Sequence, residues 1–136
     1  MENIKKTIFL SGPMRGMPRD EALAWREEAI KLLSAKFDVI HAYRGREKHE
    51  TFSDPRLAII RDKSDILKSD LILVNCSNEN MSMIGTSMEI LFAFSHDKPV
   101  IAFGGAHPND YWLNYHIHTR ETSLDAACDL INKMFY

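Results

Sequence analysis

The segment Asp70–Cys76, DLILVNC, constrains the fold more than any other stretch of the chain. Its centre is an unbroken apolar run, so neither face of the strand it forms can be left in water. Such a strand belongs in a sheet covered on both sides, as in parallel β/α proteins. Lys5–Ser11 (KKTIFLS), Phe37–His41 (FDVIH) and Lys98–Phe103 (KPVIAF) read as three more strands, and His116–Thr119 as a fifth. Between them run helical patterns. Asp20–Lys36 carries apolar residues at helical spacing, and Asp54-Pro55 is a cap followed by proline at the first helical position of a segment reaching about Lys68. Gly85–Ser95 and Ser123–Met134 read as two further helices, and residues 42–53, Ser77–Ser82 and Gly104–Tyr115 as loops. The alternation predicts an α/β fold with a parallel sheet and helices on both faces. A length of 136 residues fits a single domain spanning 1–136.

Composition excludes several classes of function. The chain is 45% apolar, which argues against disorder, and 17 basic against 19 acidic residues give a net charge of -2. That balance does not favour a nucleic acid polymer as partner. The apolar run Ile8–Leu10 is cut off by Ser11-Gly12, too short for a signal peptide, and no stretch approaches a membrane span. The expectation is a soluble, cytoplasmic protein, with Cys76 and Cys128 as packed thiols in a reducing compartment.

In parallel sheets, ligands bind beyond the carboxyl ends of the strands, where strand order reverses. Three loops with unusual chemistry leave such ends, Gly12–Arg19, Asn75–Gly85 and Gly104–Asn114, and are expected to form one site. In the first, Gly12 and Gly16 permit close approach of backbone N–H groups to an anion, and Arg15 offers a bidentate contact to phosphate or carboxylate. The plain alternative is an ordinary turn with a solvated arginine. Glu89 lies alone in a nearly uncharged stretch from Asn80 to Ser95, so it is either a functional acid or an exposed one that complements a helix N-terminus. Asp62 by itself reads as a surface charge, and so does Asp65. His116 and His118, two apart on the expected strand, share a side, but no third ligand stands nearby and no metal is expected. Trp25 reads as core, whereas Tyr111, Trp112 and Tyr115 suit either stacking on a base or a subunit interface.

Three pieces of the chain together resemble the nucleoside 2-deoxyribosyltransferase family, including its nucleoside 5′-monophosphate N-glycosidase branch. They are the strand and loop Ile8–Gly16 (IFLSGPMRG), the helix-then-strand stretch Asp62–Asn75, and Gly85–Phe103, where Gly85-Thr86 precedes Glu89 and a Lys-Pro-Val-Ile strand follows. The resemblance implies a flavodoxin-like, Rossmann-like five-stranded sheet, no cofactor, a nucleoside or nucleotide substrate, and a homodimer or larger assembly. It implies that Glu89 attacks the anomeric carbon to form a covalent glycosyl intermediate, and that Asp62 contacts the substrate and helps proton transfer. Substrate contacts would come from Phe9, Ser11, Gly12, Met14, Arg15, Gly16, Gly85 and Thr86. Asn109, or else Asn114, would reach across a subunit interface. Such chemistry needs the two acids in one pocket and a raised Asp62 pKa.

The sequence departs from the family pattern at Phe9, where many members have tyrosine, at Met83, where a polar or acidic residue is usual, and at Ser87, where glycine is common. Arg15 resembles the monophosphate branch, and a terminal aromatic residue, Tyr136, resembles the transferase branch; the loop arginine carries the balance toward a 5′-monophosphate. Two other readings stand beside the enzyme: a nucleotide-binding module without turnover, and an interaction protein using the Tyr111–Tyr115 surface.

Overall fold

The computed structural model describes residues 4–135. The elements run β1 (Lys6–Ser11), α1 (Arg19–Leu33), β2 (Phe37–His41), α2 (Pro55–Lys68), β3 (Leu71–Asn75), α3 (Ile84–Ser95), β4 (Val100–Phe103), α4 (Tyr111–Tyr115), β5 (Thr119–Glu121) and α5 (Leu124–Met134). The five strands form one parallel sheet in the order β2-β1-β3-β4-β5. All five residues of β3 are buried, as its apolar run requires. None of the helices among the described residues is long and apolar enough to cross a membrane.

Side-chain alternation along the strands separates two cores. Ile8 and Leu10 of β1 join Leu71 and Leu73 of β3 against Ala29 and Leu33 of α1 and Ala127 and Ile131 of α5. Phe9, Ile72 and Val74 point the other way, onto Ile66 of α2, Ile90 and Ala93 of α3, and Leu113 of α4. The flavodoxin-like sheet with helices on both faces is therefore present. The chain leaves β1 toward β2 on one side and returns to β3 on the other. The carboxyl ends of β1 and β3 thus flank the reversal of strand order, where such sheets open a crevice. Cys76 and Cys128 are buried and free.

Three expectations are corrected. Helix α1 stops at Leu33 rather than Lys36, because the Ser34 and Lys36 N–H groups close a final turn onto Ile30 and Leu33. The loop after β4 contains the short helix α4, capped by the Asp110 side chain, which accepts from the Leu113 N–H. The fifth strand begins at Thr119 rather than His116, paired with Ile101–Phe103. His116 therefore caps α4, with Nδ1 against the Trp112 carbonyl, while His118 Nδ1 accepts from the Val100 N–H. The shared strand face expected of these two histidines does not exist. No cluster of three or more metal-ligating side chains occurs among the described residues.

Candidate active site

Strand β1 ends at Ser11, and the β-alternation turns its side chain to the α2–α3 face of the sheet. Ser11 Oγ donates a hydrogen bond to Glu89 Oε1 at 2.7 Å. Glu89 lies near the start of α3, one helical turn after Gly85, half-buried over the carboxyl ends of β1 and β3. Burial, and then the negative charge of Asp62, push its carboxyl up to about 8, against the opposing Ser11 hydrogen bond and the Arg26 charge. Asp62, in the middle of α2, is pushed up to about 6, chiefly by burial. The charges of Arg46, Arg61 and Arg44 pull it down, while that of Asp65 raises it. Its Oδ1 is buried and has no hydrogen-bond partner. The two acids thus act on each other within one region, and between them they favour holding a proton at neutral pH.

Around this pair stands a framework of arginines. Arg26 of α1 is 1% exposed and donates to the Ala22 and Gly12 carbonyls. Arg61 donates to the Arg44 carbonyl at 2.7 Å, Arg46 to that of Ala42 at 3.2 Å, and Arg19 to that of Arg46. These bonds stitch the segment after β2 into a fixed wall beside Asp62. Asp65, expected at the surface, is instead 1% exposed and receives both guanidinium arms of Arg44, with Arg61 and Lys68 nearby. Burial alone would raise its pKa, but the Arg44 hydrogen bond and charge and then Lys68 outweigh it, so the carboxyl titrates below its ordinary value.

The other expected contacts fall in several places. Phe9 is corrected outright: it is 0% exposed within the core against α2 and α3, so its side chain cannot touch a ligand. Gly12 is needed for packing, since a Cβ there would lie 2.9 Å from Trp25 Cζ2 and 3.1 Å from Asn75 Cβ. Trp25 is partly buried against the α1–α5 core. Gly16 has φ +81°, a left-handed turn that glycine adopts without strain. Met14 is half-buried, Arg15 and Gly85 are exposed, and Thr86 is buried. Asn109 is exposed in the segment before α4. Tyr136 lies outside the described residues.

Tyr111, Trp112 and Tyr115 are 89%, 81% and 73% exposed. Together with Ile84, Met88 and Leu91 of α3, Trp112 lines a groove of about 540 Å³, to which Glu89 does not contribute. The aromatic surface and the acid pair are therefore separate features. Sequence reasoning missed Arg26, whose signal was present: it is a lone cation on the helical stripe Ala22–Ala29–Leu33 that packs on the sheet.

No family model and no curated protein matches the chain. Its fold is similar to several solved structures. A conserved protein from Enterococcus faecalis V583 shares 15% identity over 97% of this chain and 100% of that one, with a TM-score of 0.76. A 2-deoxyribosyltransferase from Bacillus psychrosaccharolyticus shares 14% identity over 90% of each chain, with a TM-score of 0.72. The CMP N-glycosidase BcmB of Clostridium botulinum shares 18% identity over 94% of this chain and 99% of that one, with a TM-score of 0.64. The chain therefore has the fold on which a deoxyribosyltransferase and a nucleotide N-glycosidase are built.

Proposed function

We propose that the chain is an enzyme that cleaves the N-glycosidic bond of a 2′-deoxynucleoside 5′-monophosphate and releases the free base. The observation that carries this reading is the coupled pair Glu89 and Asp62 at the reversal of strand order. One is held by Ser11, and the other keeps a buried oxygen without a partner. Glycosidic cleavage through a covalent intermediate needs one carboxylate as nucleophile and a second carboxyl as proton donor. Both carboxyls are pushed up, Glu89 by burial and the Asp62 charge and Asp62 chiefly by burial, so the pair favours holding a proton at neutral pH, as the reaction requires. Productive binding must therefore favour the arrangement with Glu89 ionised and Asp62 protonated. A Glu89 oxygen then bonds to C1′, the C1′–N bond breaks, and its electron pair goes to the base, which takes the Asp62 proton. Water then gives a proton to Asp62 as its oxygen bonds to C1′, the C1′–O bond to Glu89 breaks with its electron pair returning to the carboxylate, and the sugar phosphate leaves.

Arg15, exposed in the loop after β1, supplies the phosphate contact in this reading, and Met14, Gly16, Gly85 and Thr86 supply further substrate contacts. The fold likeness to a CMP N-glycosidase and a 2-deoxyribosyltransferase supports the reaction class. The exposed aromatic surface of α4 supports a homodimer, with Asn109 reaching toward the neighbour's site. The buried, free cysteines suit a reducing cytoplasm.

Chromatography of free base from a panel of deoxynucleosides and their 5′-monophosphates, with and without an acceptor base, tests the reading. Release from monophosphates, lost by at least ~10⁴-fold in Glu89→Ala with the fold intact, is the expected result. Base exchange on phosphate-free nucleosides would replace it with a transferase. Nucleotide binding without product would replace it with a binding module.

A further inference from the structure

We infer that Arg26 is a further positioning residue of this site: its buried guanidinium fixes the Gly12 peptide beside Ser11 and supplies a positive charge on the Glu89 side of the acid pair. The inference rests on the proposed role of Glu89, and it begins from an oddity of packing. Arg26 lies on the face of α1 that turns toward the sheet and is 1% exposed. A guanidinium so placed ordinarily has a carboxylate against it. Among the described residues, no salt bridge reaches Arg26. Its Nη1 donates to the Ala22 carbonyl at 2.6 Å and its Nη2 to the Gly12 carbonyl at 3.1 Å, while Nε is buried without a partner. The Trp25 and Tyr43 rings hold it from either side, 4.7 and 5.3 Å from the guanidinium carbon.

An arginine kept only to fill space on this helix would be replaced at no loss by an apolar residue of similar size. Its two bonds and its charge point instead at the site. Gly12 follows Ser11, and Ser11 holds Glu89 at 2.7 Å. Fixing the Gly12 carbonyl therefore fixes the peptide from which the Ser11 hydroxyl is aimed. The groups whose charges act on Arg26 are Tyr43, beyond β2, Glu89 on α3 and Asp62 on α2; each favours the cation, and burial outweighs them. His41, at the end of β2, is pushed down to about 4, first by burial and then by the Arg26 charge. Arg26 is thus the positive charge that favours ionised Glu89, as Arg46, Arg61 and Arg44 do for Asp62.

The test uses the full-length protein with ¹³C-labelled glutamate and ¹⁵N-labelled arginine, titrated by NMR. In the wild type, the Arg26 Nε resonance should shift with its midpoint at the titration of Glu89, and Glu89→Gln should abolish that inflection. In Arg26→Gln, which removes the positive charge, the Glu89 midpoint should rise by about one unit, a tenfold change in its ionisation constant. Arg26→Lys keeps the charge and should hold the midpoint near that of the wild type. On a substrate found by the base-release screen, Arg26→Gln should lower kcat about 10- to 100-fold with little change in KM. It should also move the acidic limb of the pH profile upward, and Arg26→Lys should restore that limb. An Arg26 resonance blind to Glu89, or a Glu89 midpoint unmoved in folded Arg26→Gln, overturns the inference. The wild-type titration decides even if the glutamine variant fails to fold. Coupling without base release from any substrate supports the Arg26–Glu89 link and removes only the proposed reaction.

Discussion

Asp62 and Asp65 stand three residues apart on one helix and meet opposite surroundings. Asp65 is closed off from water and saturated: Arg44 takes both of its oxygens, with Arg61 and Lys68 behind. Asp62 is half-buried, has an oxygen without a donor, and shares its region with another acid. One carboxyl is held below its ordinary pKa and the other is pushed up to about 6. The difference separates a charge that builds the wall from one that the proposed reaction would use. Burial alone does not mark an acid as a candidate for function; burial without compensation does.

Replacing each of these acids by its amide is the sharpest way to break the comparison. Asp62→Asn removes the proton donor, so base release should fall by ~10²–10⁴-fold. Its thermal midpoint should hold or rise, because no hydrogen bond to the Asp62 carboxyl is lost. Asp65→Asn should do the reverse. It strands Arg44 and Arg61 and should lower the unfolding free energy by about 2–3 kcal/mol in urea denaturation. That is less than the roughly 3–5 kcal/mol of a fully enclosed pair, because Arg44 and Lys68 are 37% and 64% exposed. Turnover well below its midpoint should survive. If Asp65→Asn abolished base release while leaving stability unchanged, the division of labour between the two acids would be wrong.

Much of this arrangement was legible in the sequence where local pattern and function coincide. The apolar run of β3, the Asp54-Pro55 start of α2 and the lone Glu89 each carry a local physical signal, and the sheet follows from their alternation. Other features were hidden because they depend on distant partners. Asp65 reads as a surface charge until the segment after β2 folds back and brings Arg44 onto it. Phe9 is a site residue only through the family resemblance; it shares a sheet face with Ser11, but it lies two residues deeper in the strand, inside the core, while Ser11 at the strand end meets Glu89. Helix α4 and the shift of β5 to Thr119 escaped because a five-residue helix and a three-residue strand are too short to show a period. Arg26 was visible as a charge on an apolar stripe, but its meaning required the Gly12 carbonyl that it holds.

The last expected effect concerns Glu89 and the pH dependence of stability, and its sign can be worked out. The Glu89 carboxyl ordinarily titrates at 4.5, and in the folded chain it is pushed up to about 8. The folded state therefore binds the proton more tightly than the unfolded state. The stability that comes from the protonated form is complete below pH 4.5 and is lost as pH rises through about 8. Glutamine resembles the protonated acid at every pH. Glu89→Gln should therefore match the wild type in thermal unfolding at about pH 4.5 and below, gain on it as pH rises through neutrality, and keep that gain above about pH 8. The comparison of the two aspartates makes this sharper. Asp62 is among the charges that raise Glu89, whereas Asp65 is not. In an Asp62→Asn background the Glu89→Gln gain should shrink and level off at lower pH. In an Asp65→Asn background it should keep its size and its midpoint. Equal shrinkage in both backgrounds would mean that Glu89 responds to the general charge of α2 rather than to the one acid left without a partner.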